Sequence, residues 1–140
     1  MNWFFVIGGL LSIVAVPIHI WGGEYMINRT ATEAFPDIPN GDSSIAKQEI
    51  RFGWHMGSVD MLVSGSVLLL LGLTNYVEPA AVIARLIGIY FLGYSVVIAV
   101  LPATALRRVD TLLASPQWLF ALLVALLAGG GRWSEAEMKN

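Results

Sequence analysis

The chain has 140 residues, of which 56% are hydrophobic and 13% are charged. Soluble domains carry about 25% charged residues, so this composition is typical of a membrane protein. The formal net charge of -2 and the lack of a basic patch exclude a nucleic-acid-binding protein. The lack of cysteine excludes disulfides, thiolate metal sites and iron–sulfur clusters.

Four apolar runs follow one another along the chain, each close to the length of roughly 17–25 residues that a helix needs to cross a bilayer. They cover approximately residues 3–21, 52–76, 80–101 and 111–128. Backbone groups in lipid must form their hydrogen bonds within the segment, so we expect helices rather than strands. The sequence predicts a single all-α domain, an integral membrane bundle of four transmembrane helices with a polar tail at residues 129–140.

The first connection, residues 22–50, is predicted to be long, because its middle holds turn-forming residues around Pro36 and Pro39. A helical lead-in from Ser44 to Arg51 is expected to run directly into the second helix. The N-terminus lacks the basic region and the cleavage site of a secretory signal, so the first helix is predicted to be retained.

Lysine and arginine are more frequent in the first and third connections than near the termini. The positive-inside rule therefore favours a cytoplasmic location for these connections and a non-cytoplasmic location for both termini. The expected location is a bacterial inner membrane.

Two histidines, His19 near the end of the first helix and His55 near the start of the second, are predicted to lie at similar depth near one membrane interface. Together with Glu24 and Asp60 they offer the nitrogen and oxygen ligands that suit zinc, iron or manganese. A second interpretation is a haem ligated by the two imidazoles. A third is structural, because histidine and serine hydrogen-bond across membrane helices without doing chemistry.

Two segments, HIWGGE at residues 19–24 and RFGWH at residues 51–55, carry a resemblance. They resemble the H-x-x-x-G-E and R-F-x-W-H motifs of an uncharacterised group of small bacterial four-helix membrane proteins. The resemblance implies that one functional or structural unit contains His19, Glu24, Arg51, Trp54 and His55. Ser58 shares the helix face of His55, as Arg51 does, because these residues are three and four positions away from it.

Asp60 is predicted to lie about eight residues into the second apolar run, where it either lies within the hydrocarbon or reaches interfacial water. A carboxylate at the centre of a membrane helix costs about 2.5–3.5 kcal/mol, and such residues face the bundle interior or mark proton and ion paths. The candidate partners of Asp60 are Arg85, Tyr90, Tyr94, Ser64 and His55. Alternatively, Arg85 extends its charged end to the interface and Asp60 has a purely structural role.

Tyr90 and Tyr94 are four residues apart and share one face of the third helix. They would suit a quinone or lipid pocket. The alternative is a pair of buried tyrosines whose hydroxyls are satisfied within the bundle.

These observations leave three classes of function open. The first is a non-catalytic accessory or structural subunit, which the uniformly apolar fourth helix indicates, with the bilayer and other membrane subunits or further copies of the chain as partners. The second is a membrane-embedded protein that binds a metal or a haem through His19 and His55. A redox role is an option within this class. The third is a small transporter or proton pathway through Asp60. No P-loop, dinucleotide-binding fingerprint or nucleophile elbow is present, so the sequence favours a protein that is not an enzyme.

Overall fold

The computed structural model describes residues 1–34, 43–74, 79–105 and 117–130. These residues form four α-helices and no strand: α1 (Trp3–Ala34), α2 (Ser43–Leu73), α3 (Ala80–Ala105) and α4 (Gln117–Gly129). The predicted all-α class is therefore confirmed. The polar tail from residue 131 onward lies outside the described residues.

Three of the helices are long and apolar enough to cross a membrane, as a membrane protein requires. Their apolar stretches are Trp3–Arg29, Lys47–Leu73 and Ala80–Val100. With 13 residues, α4 is only ~20 Å long, less than the ~30 Å of a hydrocarbon core. The first part of the predicted fourth span, residues 111–116, lies outside the described residues.

The first two helices are longer than their apolar runs suggested. Helix α1 continues past the predicted end at residue 21 to Ala34, and α2 begins at Ser43. The predicted lead-in to the second helix is thereby confirmed, whereas the predicted long connection is wrong in its length. The physical reason is that hydropathy indicates where a helix meets lipid, and not where it stops being helical. Polar residues such as Glu24 and Asn28 continue α1 beyond the apolar run.

Helices α1 and α2 pack along each other in antiparallel orientation, and α3 packs along α4. Helix α1 also contacts α4, whereas α2 and α3 touch sparingly. The backbone N–H of Asn2 donates to the carbonyl of Gly72 over 2.9 Å, which joins the start of α1 to the end of α2. Further along, a Cβ on Gly9 would stand 2.7 Å from the carbonyl oxygen of Gly65. Glycine at both positions therefore lets the two backbones approach closely.

The core lies between the α1–α2 pair and the α3–α4 pair. Its fully or nearly fully buried side chains include Phe5, Leu68, Phe91 and Val124. Large apolar side chains on the outer faces are exposed, as they are on helices that face lipid rather than water. The arrangement places the polar residues of α1 and α2 at one end of the bundle and in its middle.

Candidate functional site

A cluster of polar side chains joins α1 to α2 near the end at which α2 begins. The Nε of Arg51 donates to Oε1 of Glu24 over 2.7 Å, and Nε2 of His55 lies 2.9 Å from the same oxygen. Arg51 also donates to Oδ1 of Asn28 over 3.4 Å. The side chains of Arg51, Glu24 and His55 are each about one third exposed, so this cluster is partly solvated or at the membrane surface. It ties the two helices together at this end.

One helical turn deeper, His19 is held in a fixed orientation by α2. Its Nδ1 lies 2.9 Å from the hydroxyl of Ser58. Its ring stacks on the indole of Trp54, with ring centroids 4.6 Å apart and an angle of 14° between the planes. The indole N–H of Trp54 in turn donates to the carbonyl oxygen of His19 over 2.8 Å. The first two contacts fix the ring and leave Nε2 as its remaining nitrogen, and the third holds the His19 backbone against Trp54.

Gly23 gives Trp54 the room that this arrangement needs. A Cβ at Gly23 would overlap the indole, whereas a Cβ at the adjacent Gly22 would meet no atom within 4 Å. Gly22 and Gly23 belong to the HIWGGE segment, but their spacing does not predict that Trp54 packs against Gly23. That contact could have been predicted only by pairing a glycine on α1 with a tryptophan at the same depth on α2.

The four residues predicted as metal ligands do not come together. Glu24 pairs with His55, His19 with Ser58, and Asp60 with a tyrosine on α3. Within the described part of the chain, no group of three or more histidine, cysteine, aspartate or glutamate residues is placed to hold a metal ion. Metal binding and haem ligation by His19 and His55 stay predictions that this geometry does not favour.

Asp60 accepts a hydrogen bond from the hydroxyl of Tyr90 over 2.7 Å. Among its predicted partners the structure thus selects Tyr90, while Arg85 is exposed on α3. Asp60 is the central residue of the stretch Lys47–Leu73, and Tyr90 is the central residue of Ala80–Val100. The predicted depth of Asp60, about eight residues into the second apolar run, stays a prediction. The proton pathway through Asp60 stays a prediction.

A cavity of about 440 Å³ lies where the four helices meet. Its walls are mostly apolar and come from every helix: Ala15, Ile18, His19, Gly22 and Met26 of α1, Trp54 and Met61 of α2, Phe91, Tyr94 and Ile98 of α3, and Gln117, Phe120 and Ala121 of α4. Ligand pockets in proteins have volumes of roughly 300–1,000 Å³ and combine apolar walls with a few polar groups. This cavity has that size and that composition. Sequence reasoning had singled out only His19, Trp54 and Tyr94 among its lining residues.

Two polar groups that belong to lining residues of the cavity lie close to Gly57 of α2. The position that a Cβ of Gly57 would occupy is 3.9 Å from Nε2 of His19 and 3.1 Å from the hydroxyl of Tyr94. Neither of these two atoms forms a hydrogen bond with any other residue that the structure describes. His19 lies three residues beyond the midpoint of the apolar stretch Trp3–Arg29. Its predicted position near a membrane interface stays a prediction.

Comparisons of the chain with protein-family models, with curated proteins and with solved structures found no match. Function is therefore inferred from the geometry of the site. The arrangement combines a ring fixed by two contacts, a neighbouring tyrosine hydroxyl and an apolar cavity, and it can bind a ligand through hydrogen bonds.

Proposed function

We propose that this chain is an integral membrane protein that binds a lipophilic small molecule in the cavity between its four helices. The observation that carries the proposal is that His19 of α1 and Tyr94 of α3 line the same apolar cavity, and that their Nε2 and hydroxyl both lie close to Gly57 of α2. Transfer of a polar group from water to an apolar environment costs about 2–7 kcal/mol when the group finds no hydrogen-bond partner there. A ligand with a polar head and an apolar body would satisfy both groups and fill the remaining space.

The contacts around His19 support binding rather than mere helix adhesion. A histidine that only joins α1 to α2 needs one hydrogen bond, and His19 already has that bond through Ser58. Trp54 nevertheless fixes the ring from a second side. Binding sites hold their polar groups in this way, because a side chain whose orientation is fixed loses less entropy when the ligand binds.

The test is extraction of the protein with its surrounding lipid, followed by solvent extraction and mass spectrometry. We expect a neutral lipophile in near-equimolar amount, enriched over the bulk lipid. Gly22→Leu should abolish this enrichment, because Gly22 lines the cavity and a side chain there has free space to enter. Gly93→Leu is the matched control, since Gly93 also meets no atom within 4 Å but does not line the cavity. Equal lipophile content in both variants would contradict the proposal.

We further propose that four helices lie in a bacterial inner membrane, with both termini on the non-cytoplasmic side. Lys47 and Arg51, at the end where α2 begins, support this orientation through the positive-inside rule. The chain has no cysteine, so single cysteines report location directly. A membrane-impermeant maleimide should label Leu73→Cys in intact spheroplasts but Gln48→Cys only after permeabilisation. The reverse pattern would invert the topology.

A second candidate function is that of an accessory subunit in a larger membrane complex, and the Asp60–Tyr90 pair favours it. This pair lies at mid-span, and Tyr90 is 46% exposed on the side where α2 and α3 touch sparingly. A half-exposed carboxylate–tyrosine pair in lipid is costly, and a neighbouring subunit would cover it. Gentle polymer extraction and native electrophoresis should yield a complex that Asp60→Asn weakens. Recovery of only the isolated chain would contradict this second function.

A further inference from the structure

The chemical character of the cavity narrows the class of ligand that it can take. Among the lining residues that the structure describes, none is an aspartate, glutamate, lysine or arginine. A fatty-acid anion or a phosphate head group would therefore have no countercharge in the cavity, and a charge without one is strongly disfavoured in an apolar site. The ligand is expected to be electrically neutral.

Aromatic side chains form much of the wall. Trp54 comes from α2, Phe91 and Tyr94 from α3, and Phe120 from α4. Aromatic walls contributed by three helices favour a flat, ring-shaped head group, since rings pack face to face or edge to face with gains of about 0.5–1.5 kcal/mol per pair. A purely aliphatic chain would not use these walls as well.

The polar groups of the cavity are hydrogen-bond donors, so a ring that binds there should carry hydrogen-bond acceptors. The hydroxyl of Tyr94 is a donor, and so is the amide NH₂ group of Gln117, which lines the cavity from α4. Nε2 of His19 donates as well when Ser58 donates its proton to Nδ1. Carbonyl oxygens at the rim of a flat ring would meet these donors.

The cavity also offers a route for a long apolar tail. Ile18 lines it from α1, and this residue is 67% exposed. A tail that leaves the cavity beside Ile18, six residues deeper than Glu24, would enter the hydrocarbon of the bilayer directly. The head group would stay between the helices while the tail lies in lipid.

We infer that the ligand is a quinone with an isoprenoid-type tail, bound by its ring between the helices and by its carbonyl oxygens to Tyr94, with Gln117 and His19 as further donors. This inference rests on the proposed function and names the ligand class of the same cavity. It concerns binding only. Tyr90, one helical turn from Tyr94, has no part in it, because its hydroxyl is already bonded to Asp60 and it does not line the cavity.

The test is retention of three probes by the full-length protein in detergent micelles, measured per chain after gel filtration with empty micelles as the blank. The probes are decylubiquinone, the neutral alcohol geranylgeraniol and the anion palmitate. We expect saturable retention of decylubiquinone near one per chain, and no saturable retention of palmitate. Gly22→Leu should abolish retention, whereas Gly93→Leu should preserve it.

Two tyrosine variants then test how the ring is held. Tyr94→Phe removes one hydroxyl and should raise the half-saturating concentration of decylubiquinone about three- to tenfold, the effect of one hydrogen bond. Tyr90→Phe removes the hydroxyl one turn away and should change it less than about twofold. Both substitutions keep the aromatic ring, so a difference between them reports the hydroxyl and not the packing. Equal effects of the two variants would overturn the assignment of Tyr94.

The outcomes separate the quinone inference from the proposed function. Saturable, Gly22→Leu-sensitive retention of geranylgeraniol without retention of decylubiquinone would overturn the quinone and leave a neutral-lipophile site. If neither probe is retained and the extracted lipids of Gly22→Leu and Gly93→Leu are identical, both proposals fail.

Discussion

Replacement of Gly23 by alanine is the sharpest test of how α1 and α2 hold the site together. The added Cβ would overlap the indole of Trp54, which lies between Gly23 and the ring of His19. The indole cannot simply rotate away, because its N–H is bonded to the carbonyl of His19 over 2.8 Å. The substitution therefore forces either the ring or the two helices to move.

The expected magnitude follows from the contacts that would be lost. The interhelical hydrogen bond is worth about 0.6–2 kcal/mol in a membrane bundle, and the stacked rings about 0.5–1.5 kcal/mol. Forcing extra atoms into a filled site costs typically about 1–3 kcal/mol. Alanine regains about 0.5–1 kcal/mol relative to glycine inside a helix. The net expectation for Gly23→Ala is a loss of about 2–4 kcal/mol in the free energy of unfolding.

The assay is unfolding in mixed micelles, followed by circular dichroism as the fraction of denaturing detergent rises. Gly22→Ala is the matched control and should be neutral or slightly stabilising, because its Cβ meets nothing within 4 Å. In a Trp54→Ala background Gly23→Ala should no longer cost stability, since the two effects share one contact. A cost that persists in that background, or equal stabilities of the Gly23 and Gly22 variants, would refute the role given to Trp54.

Two further predictions concern the middle of the bundle. Gly57→Ala should lower the free energy of unfolding by about 1 kcal/mol, because its Cβ would stand 3.1 Å from the hydroxyl of Tyr94, whereas Gly53→Ala, with no atom within 4 Å, should not lower it. In a double-mutant cycle, Tyr90→Phe and Asp60→Ala should couple by about 0.6 kcal/mol and by no more than about 1.7 kcal/mol, as membrane hydrogen bonds do. Independent effects of the two substitutions would mean that the 2.7 Å contact contributes nothing to stability.

The helices could be predicted from the sequence to the extent that hydropathy marks them. The apolar runs predicted each helix that the structure describes. They did not predict the ends of the first connection, because α1 continues to Ala34 through residues that are polar yet helical. Composition alone does not show where a helix begins or ends outside its apolar run.

The contacts within the site could not be predicted, because they depend on the rotation and register of one helix against another. Tyr90 and Tyr94 look equivalent in the sequence, being four residues apart on one face. In the structure only Tyr90 bonds to Asp60, and only Tyr94 lines the cavity. Glycines show the same limitation. Gly57 lies against side chains of α1 and α3, whereas Gly53, four residues earlier on the same face of α2, meets no atom within 4 Å.

Several hydroxyl groups elsewhere in the bundle donate to backbone carbonyls, unlike the two polar groups beside the cavity. The hydroxyls of Ser12, Ser66 and Thr74 donate to carbonyls one turn back in their own helices, and that of Ser95 donates to the carbonyl of Trp118 on α4. This is the expected behaviour where no water competes, since hydrocarbon offers polar groups no partner. His19 Nε2 and the Tyr94 hydroxyl depart from it together, at one place, beside an apolar space of about 440 Å³. A ligand with a polar head in that space would supply hydrogen-bond partners that the described residues do not provide to these two groups.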